Sequence, residues 1–354
     1  MLSNKTQAIE RGKEVLERIK TSKKILIVPD ASRVDYDCVG TAIAMKLFLK
    51  EFGVEDVRVY LFGKMPKYLA DFKNIGKEIE IKYLKEVDLN FYDLIFLVDT
   101  NDWDRVLTRD FSKVVSEQNQ NKFFNIDHHI GGSIIESIPE NVINFQDVCA
   151  GKVLYDCLIE PSGIKLTDEI SNALYLSLIG DSAVFKYVKE DTFSFAQLLI
   201  DNGADHNKIS DFYLTLSKGA VDYFNTAVEY TKYFPELKLT SLTITEEIFK
   251  IFNEKLGDQW MKDDFAEFYK DNFEAKLEGY DYGITFRFDG DSKGTRISFR
   301  TRGSGNTIEL LPVLERAGFK VGGHRNAGGG FAKMKPEEAE QKFIDSLRLE
   351  TLKQ

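Results

Sequence analysis

The chain has 354 residues, of which 43% are hydrophobic and 29% are charged, and its formal net charge is −10 at pH 7. This composition is ordinary for a soluble globular protein, and the sequence lacks the run of about eighteen or more apolar residues that predicts a transmembrane helix. The acidic balance argues against the broad basic surface that grips long duplex DNA, whereas a short anionic ligand needs only a few local cations or metal ions.

The first segment, MLSNKTQAIERGKEVLERIK, is charged throughout, so it predicts an amphipathic helix and not a signal peptide. The three cysteines, Cys38, Cys149 and Cys157, include no CxxC pair, which argues against a disulfide framework and against a thiolate zinc site. Cys38 is adequately explained as a small apolar filler. We expect a reducing, cytoplasmic setting and no membrane partner.

Four short apolar or β-branched runs alternate with helical patterns in the first part of the chain. The runs are ILIV (25–28), VRVYLF (57–62), LIFLV (94–98) and FFNI (123–126). This alternation predicts βαβ units and a mainly parallel sheet, with ligand sites at the carboxyl ends of its strands. A further apolar run, Leu176–Ile179, is compatible with either a helix or a strand.

The pattern changes after residue 188. Residues 190–233 predict helices, Pro235 interrupts them, and the alternating runs LKLTSLTIT, YGITFRF and RISFRTR follow, with the glycine-rich GGHRNAGGG behind them. We therefore predict an α/β protein in three parts. These are a mainly parallel-sheet domain at 1–188, a helical connector at 189–234 and a smaller α/β domain at 235–354.

Four carboxylates and one imidazole lie at the predicted strand ends and after the further apolar run. They are Asp35, Asp37, Asp99, His128 and Asp181. Carboxylates gathered in one cleft repel each other unless they bind cations or share protons, and both ligand types suit Mn²⁺ and related ions. Each Asp taken alone is equally well explained as a turn or helix-capping residue. If the strand-end rule brings them together, a two-metal site follows, with one carboxylate bridging ions about 3.5–4 Å apart.

The order of these motifs resembles the DHH phosphoesterase family, in its two-domain subgroup with a DHHA1 C-terminal domain. The matching segments are VDYDCVGT (34–41), LVDTNDWDRV (97–106), NIDHH (125–129), LYLSLIGDSAVFKY (174–187), SFRTR (298–302) and VGGHRNAGGGF (321–331). The resemblance covers nearly the whole chain. The subgroup includes nano-RNases, 3′-phosphoadenosine 5′-phosphate (pAp) phosphatases and phosphodiesterases of linear or cyclic dinucleotides.

The resemblance implies a set of metal ligands. Asp35 and Asp37 would each bind one ion, and Asp99 would bridge the two. His128 and Asp181 would complete the ligands of the second ion. The implied cofactor is Mn²⁺, with two ions, and Mg²⁺ or Co²⁺ could take its place.

The resemblance also implies catalytic neighbours for these ligands. Asp127 and His129 would lie close by and orient the ligands or the scissile phosphate. Arg105 would support the site or pair with Asp102.

In the second domain, the resemblance implies phosphate ligands that reach the substrate from across the cleft. These are Arg300 or Arg302 and a turn formed by Gly322, Gly323 and His324. Glycine allows the backbone to approach a phosphate closely, and arginine can bind it through two hydrogen bonds.

One metal-binding histidine of the family is missing. The family's first motif, HxNPDGD, has this histidine at the position where the chain has Ala31. Three interpretations stay open. Asp30 binds the metal instead, the first ion binds weakly, or the protein works with an altered site.

The implied function is a 3′–5′ phosphodiesterase, similar to an exoribonuclease, that acts on short oligoribonucleotides or pApA-like dinucleotides and yields 5′-mononucleotides. A pAp phosphatase or a cyclic dinucleotide phosphodiesterase is a close second. Two further functions stay open. One is a catalytically weakened nucleotide-binding or sensing protein, motivated by Ala31, and the other is a pyrophosphatase-type phosphohydrolase. A homodimer also stays open.

Overall fold

The computed structural model describes residues 4–32, 34–65, 78–106, 119–129, 131–257, 265–274, 276–290, 292–302 and 308–352. The chain divides into two compact units, Met1–Thr215 and Leu216–Gln354. The division falls inside the segment assigned above to a helical connector, whose bounds stay predictions. None of the helices in the described ranges combines the length and the apolar composition that a membrane span requires.

The first unit is built on a six-stranded sheet with the strand order β3-β2-β1-β4-β5-β6. Its strands are β1 (Lys24–Pro29), β2 (Asp56–Leu61), β3 (Glu80–Ile81), β4 (Leu94–Val98), β5 (Phe123–Asp127) and β6 (Val142–Asn144). All neighbouring strands are parallel, which confirms the prediction. The four apolar runs became β1, β2, β4 and β5, whereas β3 and β6 have only 2 and 3 residues and leave no pattern in the sequence.

The central strands are buried on both faces. Along β1, Ile25 and Ile27 pack into one apolar cluster, while Leu26 and Val28 pack into another. Successive side chains of a strand point to opposite faces of the sheet, so the two clusters are the layers above and below it. This double burial explains why the strands appear in the sequence as continuous apolar runs.

The first unit also contains helices of 3 to 17 residues. They are α1 (Lys5–Thr21), α2 (Tyr36–Glu51), α3 (Trp103–Val106), α4 (Ser133–Ser137), α5 (Ala150–Leu154), α6 (Glu160–Ser162), α7 (Asp168–Ser182), α8 (Thr192–Asp201) and α9 (His206–Leu214). A π-helical turn, Tyr155–Ile159, joins α5 to α6. The ambiguous run Leu176–Ile179 lies within α7 and is therefore helical.

Helices α2 and α7 touch backbone to backbone at Gly40. A Cβ atom placed on Gly40 would lie 2.6 Å from the carbonyl oxygen of Ala173 and 2.7 Å from the amide nitrogen of Ser177. Only a glycine permits this approach. The contact sets the distance between Asp37 on α2 and Ser177 on α7.

The second unit is also α/β. Its sheet has the order β11-β12-β10-β9-β8-β7, with β7 (Thr231–Phe234), β8 (Leu239–Ile244), β9 (Tyr282–Asp289), β10 (Gly294–Thr301), β11 (Lys320–His324) and β12 (Ala327–Ala332). The helices are α10 (Lys218–Glu229), α11 (Glu246–Leu256), α12 (Phe265–Asn272), α13 (Leu310–Arg316) and α14 (Pro336–Thr351). Only the β8–β9 pair of this sheet is parallel.

Two predictions for the second unit were wrong in detail. The helical segment ends at Glu229, and TKYF forms β7, because these β-branched and aromatic residues pair antiparallel with β8. The segment Gly322–His324 is not a turn. It belongs to β11, where Gly322 pairs with Gly329 and Gly323 with Gly328, and the chain reverses after His324.

Candidate metal centre

The acidic motifs of the first unit meet at the carboxyl ends of β1, β4 and β5. Asp99 directly follows β4, Asp127 ends β5, and the two histidines follow Asp127. Asp35 is the N-cap of α2, which follows β1, and its Oδ1 accepts a hydrogen bond of 3.1 Å from the amide of Cys38. Asp35 is therefore a helix-capping residue, as any single Asp of this set could have been. Its carboxylate also belongs to a possible ligand set with Asp99.

Asp37 is buried and held by hydrogen bonds from several elements. Its Oδ1 accepts from Thr41 Oγ1 at 2.9 Å and from Ser177 Oγ at 2.6 Å, and its Oδ2 accepts from the Ala150 amide at 2.8 Å. Burial, together with the negative charge of Asp181, raises the pKa of Asp37. The carboxylate is thus oriented by the protein before any ion binds, and a nearby cation would stabilise its charged form.

Asp99 is strained and buried. Its φ of 53° lies in the left-handed region, which costs a non-glycine residue on the order of 1 kcal/mol or more. The Asp99 amide donates to the Ile126 carbonyl at 2.9 Å, which fixes this residue against β5. Within the described part of the chain, Asp99 Oδ1 is buried and has no hydrogen-bond partner. Burial and the charges of Asp37 and Asp35 raise the pKa of Asp99 well above its usual value.

His128 presents its Nε2 atom to the carboxylates. Its Nδ1 lies 3.2 Å from the backbone carbonyl oxygen of Asp147, which can only accept, so Nδ1 carries the proton. Nε2 lies 3.0 Å from Asp181 Oδ2, 3.5 Å from Asp37 Oδ2 and 3.6 Å from Asp99 Oδ1. Burial alone would lower the pKa of His128, but the hydrogen bond to Asp181 and the surrounding charges raise this pKa to about 10.

Asp127 orients both histidines. Its Oδ1 accepts from the His128 amide at 2.8 Å and lies 2.8 Å from His129 Nδ1. Burial opposes the charged form of Asp127, but the hydrogen bond and the charge of His129 outweigh it and lower the pKa. The Asn144 side chain also holds the His129 carbonyl at 2.8 Å.

The possible ligand atoms form three overlapping sets, and within each set they lie within 4.8 Å of one another. The sets are Asp37, His128 and Asp181; Asp99, Asp127, His128 and His129; and Asp35, Cys38 and Asp99. Asp99 shares one set with Asp35 and another with His128, so it lies between the ligands of the two predicted ions, where a bridging carboxylate would lie. Asp99 Oδ1 and Asp127 Oδ2 are buried without a hydrogen-bond partner among the described residues, which is costly unless a cation lies nearby. The residues therefore fit a pair of divalent ions.

Asp30 lies apart from these sets. Its Oδ2 is 2.6 Å from Arg105 Nε, and its Oδ1 accepts from the Ser32 amide at 2.8 Å. Arg105 already neutralises this carboxylate, so the interpretation that Asp30 replaces the missing histidine requires Asp30 to give up this partner, and it stays a prediction. Arg105 contacts Asp102 through its backbone, since its amide donates to the Asp102 carbonyl at 3.1 Å. The Asp102 side chain instead caps α4, where its Oδ1 accepts from the Ser133 amide at 2.8 Å.

The predicted phosphate ligands of the second unit lie on adjacent strands. Arg300 of β10 pairs with Ala327 of β12, which in turn pairs with His324 of β11. Arg302 follows β10, and its amide donates to the Asp281 carbonyl at 2.9 Å. The register brings these residues to one end of the strands, while their role toward a phosphate stays a prediction.

Three contributors to the site were missed by sequence reasoning. Ser177 stands in the fourth motif, LYLSLIGD, and its helical spacing from Asp181 could have indicated that it faces the same site. Asp147 contacts His128 Nδ1 through its backbone carbonyl, and any residue type could supply that carbonyl, so the sequence gives no signal for it. Cys38 was treated as an apolar filler, although its sulfur lies in one of the three ligand sets.

Comparisons with known proteins bear on the family and the fold of this chain. Residues 24–178 match the model of the DHH family, N-terminal domain. The uncharacterized protein MG371 of Mycoplasma genitalium is 28% identical over 184 residues, which are 50% of this chain and 51% of that protein. The match thus spans about half the length of this curated relative.

Two solved structures share the fold. An exopolyphosphatase-related protein from Bacteroides fragilis superposes with a TM-score of 0.76 at 20% identity, covering 96% of both chains. RecJ from Thermus thermophilus, solved in complex with Mn²⁺, superposes with a TM-score of 0.50 at 12% identity, covering 98% of this chain and 55% of RecJ. At these identities the likeness concerns the fold alone.

Proposed function

Residues 24–178 are a DHH-family N-terminal domain, and from this premise we propose that the protein is a phosphoesterase that works with two divalent metal ions. The observation that carries the proposal is Asp99. Its carboxylate belongs to two ligand sets at once and keeps a buried oxygen without a hydrogen-bond partner among the described residues. That arrangement suits a carboxylate that bridges two ions.

The residues divide between the two ions as follows. Asp37, His128 and Asp181 would hold one ion, which we call the second ion. Asp35 would hold the other, the first ion, and Asp99 shares a ligand set with Asp35. Asp99 would reach the second ion through its Oδ1, which lies 3.6 Å from His128 Nε2. When bound, such ions polarise a phosphoryl oxygen and make a water molecule more acidic.

The chain's own residues prepare this chemistry. The Asp147 carbonyl fixes the tautomer of His128, so Nε2 is the atom left to bind. Asp127 holds Nδ1 of His129, so its Nε2 is left to contact the scissile phosphate. We assign to Asp127 and His129 the positioning of the phosphate, and to Arg105 the support of the loop after β1 through Asp30.

We further propose that the substrate is a short oligoribonucleotide or a linear dinucleotide such as pApA, cleaved to 5′-mononucleotides. The net charge of −10 favours a short ligand over long duplex DNA. Arg300, Arg302 and the glycines of β11 are the proposed contacts to its phosphate. Mn²⁺ is the first ion to test, because the RecJ neighbour was solved with Mn²⁺.

Ala31 favours a second candidate, a nucleotide-binding protein with weakened catalysis, since alanine offers no metal ligand.

The test is hydrolysis of pApA, a short RNA, cyclic di-AMP, pAp and pyrophosphate with Mn²⁺, Mg²⁺ or a chelator, followed by chromatography. Metal-dependent release of AMP that is lost in Asp181→Ala supports the proposal. Nucleotide binding without turnover in any metal supports the second candidate, and turnover of pyrophosphate alone overturns both.

A further inference from the structure

The first ion of the proposed site has too few protein ligands. Asp35 and Asp99 are available to it, but Ala31 stands where the resemblance implies a histidine. Asp30, the nearest carboxylate in sequence, is bound to Arg105 at 2.6 Å. Catalytic ions such as Zn²⁺ usually have three protein ligands, so one ligand is still to be found.

Cys38 is placed to supply that ligand. It lies in the first turn of α2 and is fully buried. Its sulfur and one carboxylate oxygen from each of Asp35 and Asp99 lie within 4.8 Å of one another. Ligand atoms that share one ion lie roughly 3–4.6 Å apart, because each is about 2.0–2.3 Å from the metal. Small side-chain adjustments would therefore bring these three atoms around one ion.

The burial of Asp99 also favours a cation at this place. The Asp99 side chain is only 4% exposed, and its Oδ1 has no hydrogen-bond partner among the residues that the structure describes. His128 Nε2 and His129 Nδ1 each lie 3.6 Å from this oxygen, beyond hydrogen-bond distance, so a bound ion would compensate its burial more closely than these imidazoles do. Asp99 is also the residue whose carboxylate lies within 4.8 Å of the ligand atoms of Cys38 and Asp35.

The backbone also supports a coordinating sulfur. The amide of Asp35 donates to Cys38 Sγ at 3.3 Å, and the Cys38 amide donates to the Asp35 carboxylate at 3.1 Å. The Cys38 S–H donates to the Asp35 carbonyl at 3.4 Å, and this bond is given up when the sulfur binds the ion. An N–H donor to a coordinating sulfur orients it and stabilises its negative charge. The turn therefore fixes the sulfur and the carboxylate with respect to each other.

We propose that Cys38 Sγ binds the first ion in place of the absent histidine, together with Asp35 and Asp99. The inference rests on the proposed two-metal site. On binding, the Cys38 S–H bond breaks, a sulfur–metal bond forms, and the proton passes to the solvent with no change of oxidation state. Thiolate is a soft ligand, so the first ion is Zn²⁺, Co²⁺ or Fe²⁺ in preference to Mg²⁺, while the second ion keeps its imidazole and carboxylate ligands.

The test is a titration of the full chain with Co²⁺, followed by absorption spectroscopy. A sulfur-to-cobalt charge-transfer band in the near ultraviolet is expected for the wild type. It is expected to vanish in Cys38→Ser and Cys38→Ala, with Co²⁺ per chain falling from two to one in equilibrium dialysis. Cys157→Ala is the matched control, since Cys157 is a buried free cysteine outside the three ligand sets, and it should keep the band.

The outcomes separate this inference from the proposed function. Two bound Co²⁺ without a sulfur band overturn the role of Cys38 and leave the two-metal site standing. A band that persists in both Cys38 variants and is lost in Cys149→Ser also overturns it. Failure to bind any Co²⁺ overturns the proposed function itself. If the Cys38 variants do not fold, X-ray absorption of the wild type decides, because the proposal requires a sulfur neighbour about 2.3 Å from cobalt.

Discussion

The Nε atom of Arg105 lies 2.6 Å from Oδ2 of Asp30, a carboxylate with no exposed surface. The pair joins the end of β1 to α3, and the Arg105 carbonyl also accepts the Ala31 amide at 2.8 Å. These contacts fix the loop in which the resemblance implies a metal-binding histidine. The loop is therefore held by an ion pair, which Asp30 would have to break in order to bind a metal ion.

We predict that Arg105→Ala lowers the free energy of unfolding by about 2–3 kcal/mol, because it leaves the Asp30 charge buried without its cation. Urea denaturation measures the change. Arg58→Ala is the control, since Arg58 forms an ion pair with Asp56 at 2.6 Å but is 48% exposed, and it should cost less than about 1 kcal/mol. Adding Asp30→Asn to Arg105→Ala should recover part of the loss. Equal effects of the two arginine variants would contradict this account.

Much of this architecture could be predicted from the sequence, for a physical reason. LIFLV and FFNI are buried on both faces, so the strands appear as unbroken apolar runs and the acidic residues after them stand out. The ion pair between Asp30 and Arg105 could not be predicted, because the two residues are distant in sequence and only the fold brings them together. The TKYF strand was missed because a helical pattern leads directly into it, and only its pairing with β8 decides the outcome.

We predict that Ser177→Ala weakens metal binding about 10–100-fold, since Ser177 Oγ holds the Asp37 carboxylate at 2.6 Å. Isothermal titration with Mn²⁺ measures the affinity. Ser171→Ala on the same helix is the matched control, because Ser171 is buried and its hydroxyl has no hydrogen-bond partner in the described ranges. Its metal affinity should match the wild type. Similar losses in both variants would show that the effect is a general loosening of α7.

We predict that metal binding releases protons at pH 7 and strengthens as the pH rises. Without an ion, the pKa of Asp99 is raised by burial and neighbouring carboxylates, and the pKa of His128 is raised from 6.5 to about 10. The His128 proton must leave before its Nε2 binds a metal, and the raised pKa of Asp99 adds to the protons released. Titrations in buffers of different ionisation enthalpy count the released protons. His128→Asn should release fewer, and an affinity independent of pH between 6 and 8 would contradict the prediction.

The same shift has a consequence for the metal-free protein. The folded pKa of His128 lies above its unfolded value, so its charged form stabilises the fold fully below about pH 6.5. This contribution should fade as the pH rises toward about 10. Unfolding measured with a chelator present should show the trend, and His128→Asn should flatten it. A wild-type free energy of unfolding that falls no more than that of the variant over this pH range would contradict the assignment.

We predict that Gly40→Ala destabilises the fold by more than about 2 kcal/mol, although alanine favours helices by about 1 kcal/mol over glycine. The new Cβ would lie 2.6 Å from the Ala173 carbonyl oxygen and would force α2 and α7 apart. Gly322→Ala is the control, because a Cβ there meets no described atom within 4 Å. Thermal unfolding compares the two. A neutral Gly40→Ala would mean that the helices are not in backbone contact.

The central claim is that Asp99 bridges two ions at the strand ends. Anomalous diffraction from crystals grown with Mn²⁺ tests it most directly, with Asp99→Asn as the comparison. We predict two peaks about 3.5–4 Å apart, both next to the Asp99 carboxylate, with at least one lost in the variant. Saturating Mn²⁺ that gives no peak, or a single peak away from Asp99, would contradict the two-metal account.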